Sequence, residues 1–134
     1  MSIWSDIMKR SSGEVIRKEE FYDFKDPSVI DAVQLGKMLK SGIVHFQFRK
    51  KAKKNQPPES GEIRDAWGTK KMDIVSKIPH GGDCPPKSAG YTIFFDVEKQ
   101  DWRAFSEARL IGVCPIVFTQ EEFDKLYPIL KEEK

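Results

Sequence analysis

The chain of 134 residues has little of what defines several protein classes. It contains two cysteines, Cys84 and Cys114, which are too few for a disulfide framework and are expected to remain thiols. No run of about 18 apolar residues occurs, so the sequence predicts no membrane span. The N-terminus lacks a positively charged start followed by an apolar stretch, which argues against a secretory signal. These absences favour a cytoplasmic protein.

Motifs of catalysis, metal binding and cofactor binding are also missing. HExxH, GxSxG, P-loop and glycine-rich dinucleotide motifs do not occur. His80 and Cys84 lie close together, but zinc normally needs four ligands in paired spacing, and neither CxxC nor HxxxH is present. His45 could act as a base, yet no partnered nucleophile accompanies it. We therefore expect no enzymatic activity, no metal site and no cofactor.

The residues that are present suffice for one folded domain, because 39% are hydrophobic and nine are phenylalanine. Charge is distributed unevenly along the chain. Residues 1–42 carry seven basic and seven acidic side chains, residues 43–90 carry ten and five, and residues 91–134 carry six and nine. The basic excess in the middle third indicates a phosphate-bearing partner, with an ordinary solvated surface as the alternative.

Helices are predicted at both ends of the chain. Residues 1–26 are predicted to form a short amphipathic helix over 2–10 and a tether that docks aromatic side chains on the following domain, which spans residues 27–134. Asp26-Pro27 predicts a helix over 27–41, since aspartate can cap a helix and proline suits its first position. Thr119 and Glu122 form a capping box that begins a C-terminal helix over 119–133.

Between these helices, the pattern is that of strands. Val44, Phe46 and Phe48 alternate with polar residues, which predicts a first strand, and a long lysine-rich loop at 50–61 precedes a second strand over 62–69. Residues 72–78 are interpreted as another short strand, followed by a loop, a hairpin over 91–106 and a strand over 109–114. About five strands with short connections predict a small antiparallel β-barrel, and therefore an α+β fold that is mainly β.

Residues about 39–113 contain a set of positions that match a known family: Gly42, Val44, Phe46, Phe48, Lys50 or Lys51, Gly61, Arg64, Gly68, Thr69, Ile78, Pro79, Asp96, Glu98, Trp102, Arg103, Phe105, Arg109 and Ile111. In these positions the chain resembles the WYL-like family of small phage and bacterial proteins. The resemblance implies an Sm-like, SH3-type β-barrel and a nucleotide-type ligand, and it implies no catalytic chemistry. The loop over 52–60 departs from the pattern, because relatives are expected to have a shorter one.

The candidate site consists of cations with one aromatic residue. Arginine offers a planar five-donor fork for phosphate, and an aromatic ring offers a face for a base. The residues predicted to bind nucleic acid or a nucleotide are Arg49, Lys50, Lys51, Lys53, Lys54, Arg64, Lys70, Lys71, Trp102, Arg103 and Arg109. Trp102 and Arg103 must point to opposite faces of a strand. Two alternatives stay open: core packing of Trp102 and Phe105, and salt bridges from the arginines to Asp96, Glu98 or Asp65.

A protein-interaction module is the alternative function, because SH3-type barrels commonly bind peptides. Its anchors would be the aromatic residues outside the barrel, since aromatic side chains dominate interfaces. These residues are Trp4, Phe21, Tyr22, Phe24 and Tyr127. The partner would be a host protein or a second copy of the chain, the latter through the edges of the sheet.

Overall fold

The computed structural model describes residue 10 and residues 13–132. The predicted helix over 2–10 lies outside the described residues, apart from Arg10. The strands are β1 (Ile43–Arg49), β2 (Ile63–Thr69), β3 (Tyr91–Asp96), β4 (Asp101–Ser106) and β5 (Leu110–Phe118). The α-helices are α1 (Ala32–Ser41), α2 (Met72–Val75) and α3 (Gln120–Glu132), and short 3-10 segments cover Lys18–Tyr22, Pro58–Ser60 and Glu107–Arg109. Within this part of the chain, no helix has the length and apolar character that crossing a membrane requires.

The five strands form one antiparallel sheet in the order β4-β3-β2-β1-β5. Strands β1 and β2 pair along nearly their whole length, from Val44 opposite Gly68 to Arg49 opposite Ile63. Strands β3 and β4 also pair fully, as the predicted hairpin requires. By contrast, β2 and β3 share only two register pairs. The β1–β2 hairpin and the β3–β4 hairpin therefore diverge from each other.

The sheet curls on itself into a small barrel. In a flat sheet, three strand spacings would place β4 about 14 Å from β1. The ring of Phe105 on β4 nevertheless stacks on that of Phe48 on β1, with centroids 4.9 Å apart, and lies 5.5 Å from that of Phe46. This contact brings β4 over the interior face of β1. The predicted fold, an α+β domain that is mainly β with about five antiparallel strands, is thus confirmed.

Each face of the curled sheet has its own apolar core. The interior cluster contains Val44, Phe46 and Phe48, the three residues whose alternation predicted β1, and α1 covers it with Leu35 and Leu39. The outer cluster packs the opposite face against α3 and the N-terminal segment; it includes Phe21, Trp67, Phe95, Trp102, Phe118, Phe123 and Leu126. The two clusters explain why a chain of this length contains so many aromatic residues.

The N-terminal segment and the C-terminal helix are fastened to the sheet by specific contacts. Phe21 is fully buried and stacks on Phe118 with ring centroids 5.4 Å apart. Arg10 donates from Nε to Glu122 Oε2 over 2.6 Å and from Nη2 to the Val117 carbonyl over 2.7 Å. The capping box is confirmed, since the Thr119 amide donates to Glu122 Oε1 over 2.8 Å and the Glu122 amide donates to Thr119 Oγ1 over 3.1 Å.

Two predicted elements differ from the structure. The first α-helix begins at Ala32 rather than at residue 27, because Asp31 is the residue whose side chain caps it, accepting from the Gln34 amide over 2.9 Å. Asp26 instead closes a separate turn through the Ser28 amide. The predicted strand over 72–78 is also wrong: Met72–Val75 is helical, since the Lys71 carbonyl accepts from the amides of Ile74 and Val75.

Candidate anion-binding groove

A concave groove of about 440 Å³ lies between the diverging hairpins. Its floor and walls come from the end of β1, the first part of β2, the start of β3 and the second half of β4, so residues that are distant in sequence meet there. Six of its lining residues are cationic: Arg49, Lys50, Lys51, Arg64, Arg103 and Arg109. Phe48, Tyr91, Ala104, Phe105 and Ser106 complete the lining. We call this feature the arginine groove.

Arg64 is held in the groove by a buried carboxylate. Asp96 has no exposed surface, and its Oδ2 accepts a hydrogen bond and ion pair from Arg64 Nη2. The other oxygen, Oδ1, accepts from the amides of Glu98 and Lys99, each over 3.0 Å. The Arg64 guanidinium carbon lies 6.0 Å from the centroid of the Phe48 ring. A buried carboxylate thus fixes both the arginine and the turn between β3 and β4.

Two further arginines are positioned by backbone carbonyls. Arg49 Nη1 donates to the carbonyls of Glu59 and Gly61 over 2.8 and 2.7 Å. Arg109 Nη1 donates to the Lys50 carbonyl over 2.9 Å. A guanidinium has five N–H donors, so each of these bonds orients the group and leaves donors for a ligand. Both side chains are therefore partly pre-organised, and because the carbonyl groups are neutral, they do not cancel the positive charge of the arginines.

Lys51 and Arg103 are the exposed cations of the groove. Within the described part of the chain, neither side chain has a carboxylate within 4.0 Å. Lys50 does pair with Glu62, over 3.8 Å, but both partners are well exposed, so this pair contributes little. No carboxylate is among the residues that line the groove. The groove therefore concentrates positive charge that the described residues do not neutralise.

Aromatic side chains give the groove an apolar floor and rim. Phe48 and Phe105 are nearly buried, at 6% and 4% exposed, and their stacked rings close the bottom. Tyr91 is 48% exposed and stands at the rim. Sequence reasoning missed Tyr91, because its position at the start of β3 carries no signal that it meets β1 and β4 in space.

The structure brings together six of the eleven predicted site residues and leaves five outside. Lys53 and Lys54 are exposed on the loop after β1 and do not line the groove. Lys70 and Lys71 follow the far end of β2, about 20 Å along that strand from Arg64. Trp102 is 8% exposed and packs against Phe95 on the outer face, with ring centroids 5.5 Å apart. The open alternative of core packing therefore describes Trp102 and Phe105.

The outer face of β1 and β2 holds the histidine that sequence reasoning considered as a base. His45 is 1% exposed, its ring lies parallel to that of Trp67 with centroids 4.1 Å apart, and its Nδ1 lies 2.8 Å from the Phe21 carbonyl. Asp65 Oδ2 is 3.7 Å from its Nε2. These contacts give His45 a packing role. No group of three or more histidine, cysteine or acidic residues suited to a metal ion occurs in the described ranges.

The aromatic residues that would anchor a protein partner differ in how exposed they are. Trp4 lies outside the described residues. Phe21 belongs to the outer core and is not available to a partner. Tyr22 is 44% exposed and Phe24 is half-buried, while Tyr127 donates to Glu98 Oε2 over 2.5 Å. Burial and this hydrogen bond raise the pKa of Tyr127 well above its usual range. Tyr22 and Tyr127 line the same cavity of about 480 Å³, and Tyr22 and Phe24 both pack on the His45 ring, with centroids 5.7 and 4.8 Å away.

The curled five-stranded sheet and its cationic groove define the chain as a small β-barrel binding module. Residues 32–111 match the model of the WYL_2 family, described as an Sm-like SH3 β-barrel fold, and the match covers more than half of the chain. The chain belongs to this family. A comparison with curated proteins found no significant match, and a comparison with solved structures found none either.

Proposed function

We propose that this chain is a non-enzymatic accessory protein of a phage or bacterium that binds nucleic acid or a nucleotide through the arginine groove. The observation that carries the proposal is the convergence of six cationic side chains on one concave surface whose lining contains no carboxylate. Such a surface attracts anions, and planar guanidinium forks match the geometry of phosphate oxygens. An exposed tyrosine at the rim adds a face on which a base can stack.

The way the arginines are held favours binding over a purely solubilising role. A surface that served only solubility would leave its long side chains mobile. Here Arg49 and Arg109 are oriented by carbonyl groups, and Arg64 is oriented by Asp96. Restricting these side chains before the ligand arrives reduces the entropy that binding costs.

Fluorescence anisotropy with labelled single-stranded and duplex DNA and RNA tests this function. We expect binding that weakens with added salt, with a slope of about 0.7 per phosphate contact for a single strand and about 0.9 for a duplex. A series of unlabelled nucleotides added as competitors extends the test to small ligands. If none of these ligands binds at low salt, the proposal fails, and the protein-interaction module becomes the function to test.

A matched pair of variants locates the site. Lys51→Glu/Arg103→Glu reverses two exposed charges in the groove, and Lys71→Glu/Lys77→Glu reverses two exposed charges elsewhere. The two variants have the same net charge, so a non-specific effect of total charge would affect both equally. We expect binding to be lost only in the groove variant. Equal losses in both variants would reject the groove as the site.

A further inference from the structure

Among the described residues, the surface changes in charge from the groove to the neighbouring side of β2. A second cavity of about 480 Å³ shares Lys50 and Arg64 with the groove, and its lining adds three carboxylates, those of Glu62, Asp65 and Glu98. Lys70 and Lys71 stand at the far end of β2, so they do not extend the groove into a track. A nucleic-acid strand that left the groove on this side of β2 would therefore meet three carboxylates.

The size of the groove agrees with a small ligand. Its volume of about 440 Å³ falls within the range of roughly 300–1,000 Å³ that is typical of pockets for a single small molecule. The stacked rings of Phe48 and Phe105 give this recess an apolar surface. A recess of this volume accommodates one small molecule, whereas polymer-binding surfaces usually follow a backbone across several phosphates.

The charge of the groove exceeds what one internal phosphate needs. Arg64 is neutralised by Asp96, and Lys50 has Glu62 nearby, which leaves Arg49, Lys51, Arg103 and Arg109 without an ion pair among the described residues. A phosphodiester inside a strand carries one negative charge. A terminal phosphate carries about 1.5 to 2 negative charges at pH 7. Consecutive phosphates in a chain add to that total within a small volume.

We propose that the arginine groove binds a short chain of consecutive phosphates, such as the diphosphate or triphosphate of a single nucleotide, with the base stacked on Tyr91. This inference rests on the proposed function and selects a small ligand within it. Arg103 and Lys51, which are exposed and unpaired among the described residues, contact the outermost phosphates. Arg49 and Arg109, whose orientations are set by backbone carbonyls, contact the phosphates deeper in the recess.

Isothermal titration calorimetry with adenosine mono-, di- and triphosphate tests the inference, in a buffer without divalent cations so that the phosphates stay charged. Affinity should rise by about tenfold or more from monophosphate to triphosphate, because each added phosphate gains charge-assisted hydrogen bonds. Inorganic triphosphate should bind several-fold more weakly than the nucleotide, because it lacks the base. An oligonucleotide without terminal phosphates, added as a fifth ligand, should bind more weakly than adenosine triphosphate.

Four variants separate the contributions of the outer phosphates and of the base. Arg103→Ala should reduce the affinity for triphosphate far more than that for monophosphate, whereas Lys71→Ala, outside the groove, should change neither. Tyr91→Ala should weaken nucleotide binding and leave inorganic triphosphate unaffected, and Tyr91→Phe should restore it, since stacking needs the ring and not the hydroxyl. Thermal unfolding of each variant confirms that the exposed substitutions leave the fold intact.

The outcomes distinguish this inference from the function on which it rests. Equal affinity for mono- and triphosphate, together with tight binding of the oligonucleotide, would overturn the small-ligand inference and leave nucleic-acid binding in place. Inorganic triphosphate binding as tightly as the nucleotide would overturn the role of Tyr91 and the nucleoside part of the ligand. An absence of binding by all five ligands would reject the proposed function itself.

Discussion

Replacing Arg64 and its buried partner Asp96, singly and together, should show that the two side chains act as a unit. Asp96→Asn keeps an oxygen for the turn amides but turns N–H groups toward the guanidinium. Asp96 is fully buried and the Arg64 side chain is 17% exposed, so water replaces the lost interaction poorly. Breaking a buried charge pair costs about 3–5 kcal/mol, and the partial exposure of Arg64 places our expectation near the lower end, at about 3 kcal/mol.

A double-mutant cycle isolates the interaction between the two residues. Arg64→Met leaves the Asp96 carboxylate buried with only the two turn amides as donors, so it should cost about 2–4 kcal/mol. The double variant Arg64→Met/Asp96→Asn removes both charges. Its loss of stability should be smaller than the sum of the single losses by about 1–3 kcal/mol.

Urea unfolding followed by tryptophan fluorescence supplies the measurement, because Trp67 and Trp102 are both buried in the folded protein. The denaturant slope should stay constant across the four proteins, so that differences in midpoint report stability. Additive losses, within about 0.5 kcal/mol, would refute the account of Asp96 as the group that holds Arg64.

Other predictions test the packing, the thiols and one ion pair. Phe21→Ala should lower the unfolding free energy by about 3–5 kcal/mol in a urea titration, because this fully buried ring joins the N-terminal segment to the outer core, and a loss below about 1 kcal/mol would contradict that packing. Cys84 is exposed, whereas burial raises the pKa of Cys114 to about 11. A colorimetric thiol assay at pH 8 should therefore detect one reactive thiol per folded chain and two in denaturant. Burial raises the pKa of Glu122, but hydrogen bonds from Arg10 and Thr119 outweigh it and leave that pKa below its usual range. The lowered pKa stabilises the folded protein at pH values above about 4.3, which is the pKa of a glutamate in the unfolded chain. This stabilisation disappears as the pH falls through the lower pKa of the folded state. Glu122→Gln should therefore flatten the acid side of a plot of stability against pH.

The sequence predicts a strand or helix best where neighbouring residues alone determine it. The alternation of Val44, Phe46 and Phe48 predicted β1, and the Thr119–Glu122 capping box predicted the start of α3. The start of α1 was misplaced because Asp26 and Asp31 are both acceptable caps, and the choice depends on which backbone amide each side chain meets. Ile74 and Val75 favour a strand by their β-branched side chains. Met72–Val75 is nevertheless helical, because the Lys71 carbonyl accepts hydrogen bonds from the amides of both residues.

The candidate site depended on tertiary contacts that no local pattern encodes. The resemblance to the family and the charge distribution identified the arginines, but the meeting of Arg103 with Lys51 follows from the curl that stacks Phe105 on Phe48. The same curl brings Tyr91 to the rim. Lys70 and Lys71 are close in sequence to Arg64, yet an extended strand carries them to the opposite end of the hairpin. The sequence therefore predicted the kind of side chain in the site better than it predicted which residues line the groove.

The central claim is that a phosphate-bearing ligand occupies the arginine groove, and mapping by nuclear magnetic resonance tests it most directly. Adenosine triphosphate or a short single-stranded oligonucleotide is added to ¹⁵N-labelled protein, and the shifts of backbone and arginine side-chain signals are followed. The account predicts that the largest shifts occur at Lys51, Tyr91, Arg103 and Arg109, with little change at Lys71. Shifts centred on Lys71 or on the outer face around Trp67, with the groove signals unmoved, would contradict it.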